Sequence, residues 1–181
     1  MSKFHALLVG VNTYKNPRIR PLNGCVSDVE RLGNYLKSSL KDRLSLKTLL
    51  NEQASRMEVV NAFEEHLGKA APGDTALFYF SGHGCLEEVP PALLRHNSGR
   101  PGIEALCCYD AMADGAPALA DKELRYLIRR LSEKTQARIV LMTDSCHSGG
   151  VTRNVADGTQ RMAEMEGAAS RLSVLAPKRK W

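Results

Sequence analysis

The chemistry in this sequence rests on His83, in the turn Gly82-His83-Gly84, and on Cys146, in Cys146-His147-Ser148-Gly149-Gly150. A thiol attacks an amide only as its thiolate, so a nucleophilic cysteine needs a neighbour that lowers its pKa or takes its proton. At neutral pH histidine suits that task best. Glycines beside such residues let a substrate backbone come close and leave main-chain N–H groups unobstructed. The N–H groups of Gly84 and Cys146 are therefore candidates to hold the oxyanion of a tetrahedral intermediate. Cys25, Cys85, Cys107 and Cys108 read as small buried hydrophobes, and His147 as a loop residue. A zinc site made from His83, Cys85, Cys146 and His147 would use His-x-Cys and an adjacent Cys-His pair. Structural zinc sites space their ligands by about two to five residues, so no metal is expected there.

Both residues follow strongly apolar runs, 75–80 before His83 and 138–142 before Cys146, and each run has strand character. The rest of the chain alternates in the same way. Residues 4–12 predict a first buried strand. Residues 26–40 place Val29, Leu32, Leu36 and Leu40 on one helical stripe, and 44–50 predict a second strand. Ser55-Arg56-Met57-Glu58 has the form of a capping box and opens a helix with Val59, Phe63 and Leu67 on its buried face. Ala71-Pro72-Gly73-Asp74 breaks it. A polar, Pro/Gly-rich insertion covers about 86–102, and 105–109 predict a short fourth strand. Asp121 is placed to cap a helix carrying Leu124, Leu127, Ile128 and Leu131. Strands separated by helices imply an α/β fold with a mainly parallel central sheet and helices on both faces. Functional groups on such sheets gather beyond the carboxyl ends of the strands, where His83 and Cys146 both fall.

Three segments then resemble one family. Tyr79-Phe80-Ser81-Gly82-His83-Gly84 and Thr143-Asp144-Ser145-Cys146-His147-Ser148-Gly149 resemble the two catalytic motifs of metacaspases and their bacterial relatives. Leu22-Asn23-Gly24-Cys25-Val26-Ser27-Asp28 resembles the stretch after their first strand. The likeness runs from about residue 3 to 150. It implies a caspase-like three-layer sandwich, with Cys146 as nucleophile and His83 as proton acceptor and donor. It also implies that Asp28 and Asp144 line an S1 pocket for a substrate Arg or Lys, a pairing that a desolvated guanidinium would require. By position alone Asp28 could be a first-turn helix acid and Asp144 could bond turn amides. The Gln-Ala-Cys motif of caspases that cut after Asp is absent, so basic specificity is expected.

Many metacaspases use calcium, held by an acidic pair near the helix before the last parallel strand and by an Asp shortly after the nucleophile. Here those places read Asp121-Lys122 and Arg153. Calcium wants several carboxylate oxygens, so dependence on it is expected to be weak or absent and no cofactor is assigned. The resemblance divides the chain into a large-subunit catalytic domain, residues 1–150, and a polar linker or processing region, 151–181. It implies a small-subunit segment, in the same or another chain, as a partner. Self-processing near Arg153, Arg161, Arg171 or the Lys178-Arg179-Lys180 cluster is an expectation for an enzyme that cuts after basic residues. A second reading is a catalytically silent caspase-like module acting through protein contacts in a signalling or defence assembly.

Composition narrows the remaining classes. The 181 residues suit one domain. The net charge of +5 comes from 25 basic against 20 acidic side chains, too thin an excess for a nucleic-acid face. No secretory leader or membrane span is legible. Five cysteines without a CxxC pair argue against a disulfide framework and for a reducing, cytoplasmic setting.

Overall fold

The computed structural model of the protein describes residues 1–88 and 102–145. Its centre is a four-stranded sheet in the order β2-β1-β3-β7, with every neighbouring pair parallel. The strands are β1 (Phe4–Gly10), β2 (Leu44–Leu50), β3 (Thr75–Ser81) and β7 (Arg138–Asp144). β1 and β3 hold the middle and are buried on both faces, which is why they read as continuous apolar runs rather than alternating ones.

Alternation survives inside those runs as a choice of partner. Ala6, Leu8, Leu77 and Tyr79 pack with Val29 and Leu36 of helix α1 (Cys25–Leu40). Leu7, Val9, Phe78 and Phe80 pack instead with Val59 and Phe63 of α2 (Arg56–Glu65) and with Leu124, Leu127 and Leu131 of α3 (Asp121–Thr135). One helix therefore covers one face and two cover the other. This is the three-layer arrangement expected from the alternation of elements. The Phe63 and Phe78 rings meet across α2 and β3 at 5.4 Å; removing such a buried ring costs about 3–5 kcal/mol. Ser55 caps α2 as its spacing predicts, accepting the Glu58 N–H at 3.3 Å.

Elsewhere the structure departs from the reading of the sequence. A fourth strand does form, but as β5 (Gly102–Leu106) rather than over 105–109, and it does not join the parallel sheet. It lies between β4 (Gly84–Glu88) and β6 (Leu119–Ala120) in a separate antiparallel sheet. The chain leaves that ladder after Leu106, where Cys107 donates its N–H to the His83 carbonyl at 2.9 Å. The insertion over 86–102 thus begins and ends in strand, and its residues 89–101 lie outside the described residues. Asp121 does not cap α3. Ala120 is the N-cap, still extended, and the Glu123 carboxylate three residues on accepts its N–H at 3.2 Å. Asp121 is the first helical residue and pairs with Arg125 at 3.2 Å. β7 runs on to Asp144, but it is an edge strand among the described residues, and its apolar Leu141 and Met142 are 44% and 45% exposed. β1 ends at Gly10 rather than 12, although Val11 N–H still reaches Ser81 O at 3.0 Å. The processing region proposed over 151–181 lies outside the described residues.

Candidate active site

The register of the parallel sheet fixes what lies at its carboxyl end. Gly10, Ser81 and Asp144 are paired across β1, β3 and β7, and the Gly82 N–H donates to Asp144 O at 3.3 Å. His83 follows Ser81 by two residues and Cys146 follows Asp144 by two. The sheet therefore delivers the chain to both motifs from aligned strand ends. Cys146 itself lies outside the described residues.

His83 is buried at 1% exposure, and its surroundings fix its protonation pattern. Nε2 stands 2.8 Å from the Arg20 carbonyl oxygen. A carbonyl can only accept, so Nε2 carries the proton and the Nδ1 lone pair is left as the basic site of the neutral ring. Nδ1 is buried and has no hydrogen-bond partner among the described residues. Leaving a buried polar atom unsatisfied costs about 1–3 kcal/mol, a cost that His5, with both ring nitrogens buried and without a hydrogen bond, also carries, so Nδ1 is singled out by its place beyond the end of β3 and not by that cost alone.

Holding that ring is the work of the loop between β1 and α1. Tyr14 places its hydroxyl 2.9 Å from the His83 N–H, from which it accepts, and donates to Val11 O at 3.2 Å. The Tyr14 ring lies 5.3 Å from the imidazole. Burial pushes the Tyr14 phenol far above its ordinary range, so it stays neutral. Ile19 is buried with Cys85, Ala105 and Cys107 under the antiparallel sheet, which anchors the backbone just before Arg20. Further on, Lys15 N–H donates to Tyr109 O at 2.9 Å, and Asn16 Nδ2 donates to Met112 O at 3.0 Å. Lys15 Nζ meets Asp114 at 2.8 Å on the surface.

Asn12 joins this loop to α1. Its Oδ1 accepts the Cys25 N–H at 2.9 Å and the Val26 N–H at 3.4 Å, supplying the cap that Gly24 lacks. Asn51 Oδ1 in turn accepts the Asn12 N–H at 2.9 Å. Gly10 has no room for a side chain, since a Cβ there would sit 2.9 Å from Val29 Cγ2 and 3.0 Å from Cys25 O. That close approach seats the start of α1 against the end of β1.

The other predicted site residues take distinct places. Gly84 is buried as the first residue of β4, opposite Leu106. Asp144 is exposed at the end of β7. Asp28 lies in the first turn of α1, partly exposed, with the Arg31 guanidinium 3.8 Å away. The structure brings His83, Gly84 and Asp144 to one end of the sheet, with Asp28 one helical turn into the helix seated there. The thiol of Cys107 is held well above its ordinary range, first by its hydrogen bond with Cys85 and then by burial. Burial alone does most of this for Cys108. Thiols kept protonated in this way are poor nucleophiles.

One of the two places named for calcium lies within the described residues. Asp121 Oδ2 faces Arg125 at 3.2 Å and Lys122 follows it, while Asp121 Oδ1 is buried without a hydrogen bond among the described residues; Arg153 lies outside the described residues. No helix among the described residues is long and apolar enough to cross a membrane.

Tyr14, Asn12 and the Arg20 carbonyl carry no motif signal in the sequence. They sit in a polar loop, and only the folded register brings them to His83.

The sequence model of the family described as "Metacaspase, peptidase C14 domain" matches residues 5–154. Metacaspase-1 of Pyricularia oryzae is 29% identical over 154 residues, which span 81% of this chain and 37% of that protein. Metacaspase-8 of Arabidopsis thaliana is 27% identical over 158 residues, spanning 83% of this chain and 38% of the relative. Among solved structures, a crystal structure of a protein from Geobacter sulfurreducens superposes with a TM-score of 0.64 at 25% identity. It covers 82% of this chain and 52% of that one. The chain thus spans well under half the length of the curated relatives it matches.

Proposed function

Because the chain belongs to the metacaspase, peptidase C14, family and has its caspase-like three-layer fold, we propose that it is a cysteine endopeptidase that cuts after arginine or lysine. The observation that carries this reading is the state of His83, with Nε2–H committed to Arg20 O and Nδ1 buried and unpartnered among the described residues.

In this reading Nδ1 takes the proton of the Cys146 thiol, and the thiolate attacks the carbonyl carbon of the scissile amide. The carbonyl electron pair moves to oxygen, where the N–H groups of Gly84 and Cys146 stabilise it. His83, now protonated, gives its proton to the leaving amine as the C–N bond breaks, and a thioester remains on Cys146. Water then loses a proton to Nδ1 and attacks the thioester. Collapse of the second tetrahedral intermediate releases the acid and returns the thiol. The Arg20 carbonyl stabilises the imidazolium in both half-reactions by accepting from Nε2–H.

Asp28 and Asp144 are proposed to meet the basic P1 side chain, supported by their places at the carboxyl end of the sheet. Turnover is proposed not to require calcium, supported by the Asp121–Arg125 pair. The substrates are proteins or peptides, and a small-subunit segment is the proposed partner that completes the cleft. A cytoplasmic setting is proposed, since it keeps Cys146 reduced; the four described cysteines, with no disulfide among them, support it.

Hydrolysis of fluorogenic peptides ending in Arg, Lys or Asp, measured beside Cys146→Ala with and without calcium, tests this. Turnover of the Arg and Lys peptides without calcium, lost in the variant, is the expected result. Turnover of the Asp peptide would overturn the roles of Asp28 and Asp144. Equal activity of Cys146→Ala would overturn the nucleophile. If no peptide is cut even after a downstream small-subunit segment is added, the chain is a non-catalytic module.

A further inference from the structure

We propose that Tyr14 is a positioning residue for His83, its hydroxyl fixing the backbone of the histidine and its ring limiting the swing of the imidazole. The proposal rests on the reading of His83 as the general base. Among the described residues, three attachments hold His83. Its N–H goes to Tyr14 Oη, its carbonyl accepts from Cys107 N–H, and its Nε2–H goes to Arg20 O. The last two come from main-chain groups that any side chain would supply. Only the first depends on one particular side chain.

The local sequence is built around that phenol. A Cβ on Gly82 would sit 2.9 Å from the Phe80 ring and 3.3 Å from Tyr14 Oη, so glycine there lets Phe80 and Tyr14 close over the turn that precedes His83. Tyr14 also packs against both the core under the parallel sheet and the core under the antiparallel sheet. It is a joint between the two layers whose boundary is His83. With both hydroxyl roles used, donor to Val11 O and acceptor from His83 N–H, and with burial keeping it protonated, Tyr14 is a fixed strut and not a proton carrier. An imidazole that must take a proton and return it within one turnover needs such a fixed geometry.

Tyr14→Phe removes the hydroxyl and keeps the ring. In the full chain, with an Arg peptide as substrate, we expect kcat to fall by roughly tenfold, the size of one lost hydrogen bond, with KM within about twofold. A second readout needs no substrate. Proton NMR of ¹⁵N-histidine-labelled protein should show a slowly exchanging His83 Nε2–H in the wild type and a broadened, fast-exchanging one in Tyr14→Phe. His83→Ala assigns the resonance and separates failures: turnover that survives His83→Ala defeats the base reading itself, and the NMR comparison still decides the role of Tyr14. Gly82→Ala, which crowds the phenol from the other side, should reproduce the loss in kcat. An unchanged Nε2–H exchange rate and an unchanged kcat in Tyr14→Phe would overturn the proposal. So would a loss that appears only as a lowered melting temperature.

Discussion

Two buried histidines sit at opposite ends of the same sheet, and both press Nε2 against main-chain carbonyls. His66, at the end of α2, lies 3.1 Å from both Ala6 O and Ser45 O near the amino ends of β1 and β2. The His5 ring is 6.2 Å away, and His5 in turn faces Asp74 at 3.6 Å. Asp74 is tied down by Lys3 and Ala71 N–H groups at 2.7 and 3.0 Å, which hold its carboxyl below the usual range. His66 bridges two strands and a helix end, as a brace. His83 is braced through one nitrogen and leaves the other buried and unpartnered among the described residues, at the end of the sheet where two motifs converge. Burial and a carbonyl contact are common to both and decide nothing. What separates a catalytic candidate from a structural histidine is the reserved second nitrogen together with its place on the sheet.

The sharpest way to break this contrast is to exchange the two in function. His83→Ala should lower kcat/KM on Arg peptides by about a thousandfold or more, whereas His66→Gln should leave it within about twofold. A comparable loss in His66→Gln would collapse the distinction. Next in size is the ionic anchor that ties α2 to α3. Arg56 and Glu123 meet at 2.6 Å in the interior, and Arg56 N–H also reaches Asp110 on the loop after β5 at 2.7 Å. Burial pushes the Glu123 carboxyl up while Arg56 pulls it back. Glu123→Ala should destabilise the fold by roughly 3–5 kcal/mol by breaking this buried pair, read as a lower urea midpoint with an unchanged slope. At the carboxyl end of the sheet, Asp144→Asn should reduce kcat/KM on Arg peptides by about tenfold, the size of a charge-assisted bond.

The smallest effect belongs to pH. His66 has its folded-state pKa lowered, chiefly by burial, so between that value and about 6.5 the unfolded chain binds more protons. Its contribution to stability is present above about pH 6.5 and is lost as pH falls through that window. His66→Gln should flatten the dependence there, seen in urea midpoints collected from pH 7 to pH 5.

The sequence carries β1, β3 and β7, because buried parallel strands are written as apolar runs, and it carries the motifs that hold His83 and Cys146, because glycine and polar residues interrupt those runs abruptly. The Ser55 cap was legible for the same local reason. β5 lies three residues before the strand predicted over 105–109, and its sheet is not legible, since a short run such as 102–106 says nothing about its partner and antiparallel pairing with β4 is a long-range fact. The N-terminus of α3 was misread because Glu123, not the more obvious Asp121, satisfies the terminal amide. The clamp on His83 was illegible in principle. A carbonyl at residue 20 has no sequence signature, and Tyr14 gains its meaning only when the loop folds back against β3.

The central claim is that Cys146 is a nucleophile activated by His83 and directed to basic residues. Labelling the protein with an arginine-terminated peptidyl chloromethyl ketone and mapping the adduct by mass spectrometry tests it most directly. The account predicts one adduct, on Cys146, that His83→Ala suppresses and that an aspartate-terminated analogue does not form. An adduct on Cys25, Cys85, Cys107 or Cys108, or equal labelling of Cys146 without His83, would contradict it.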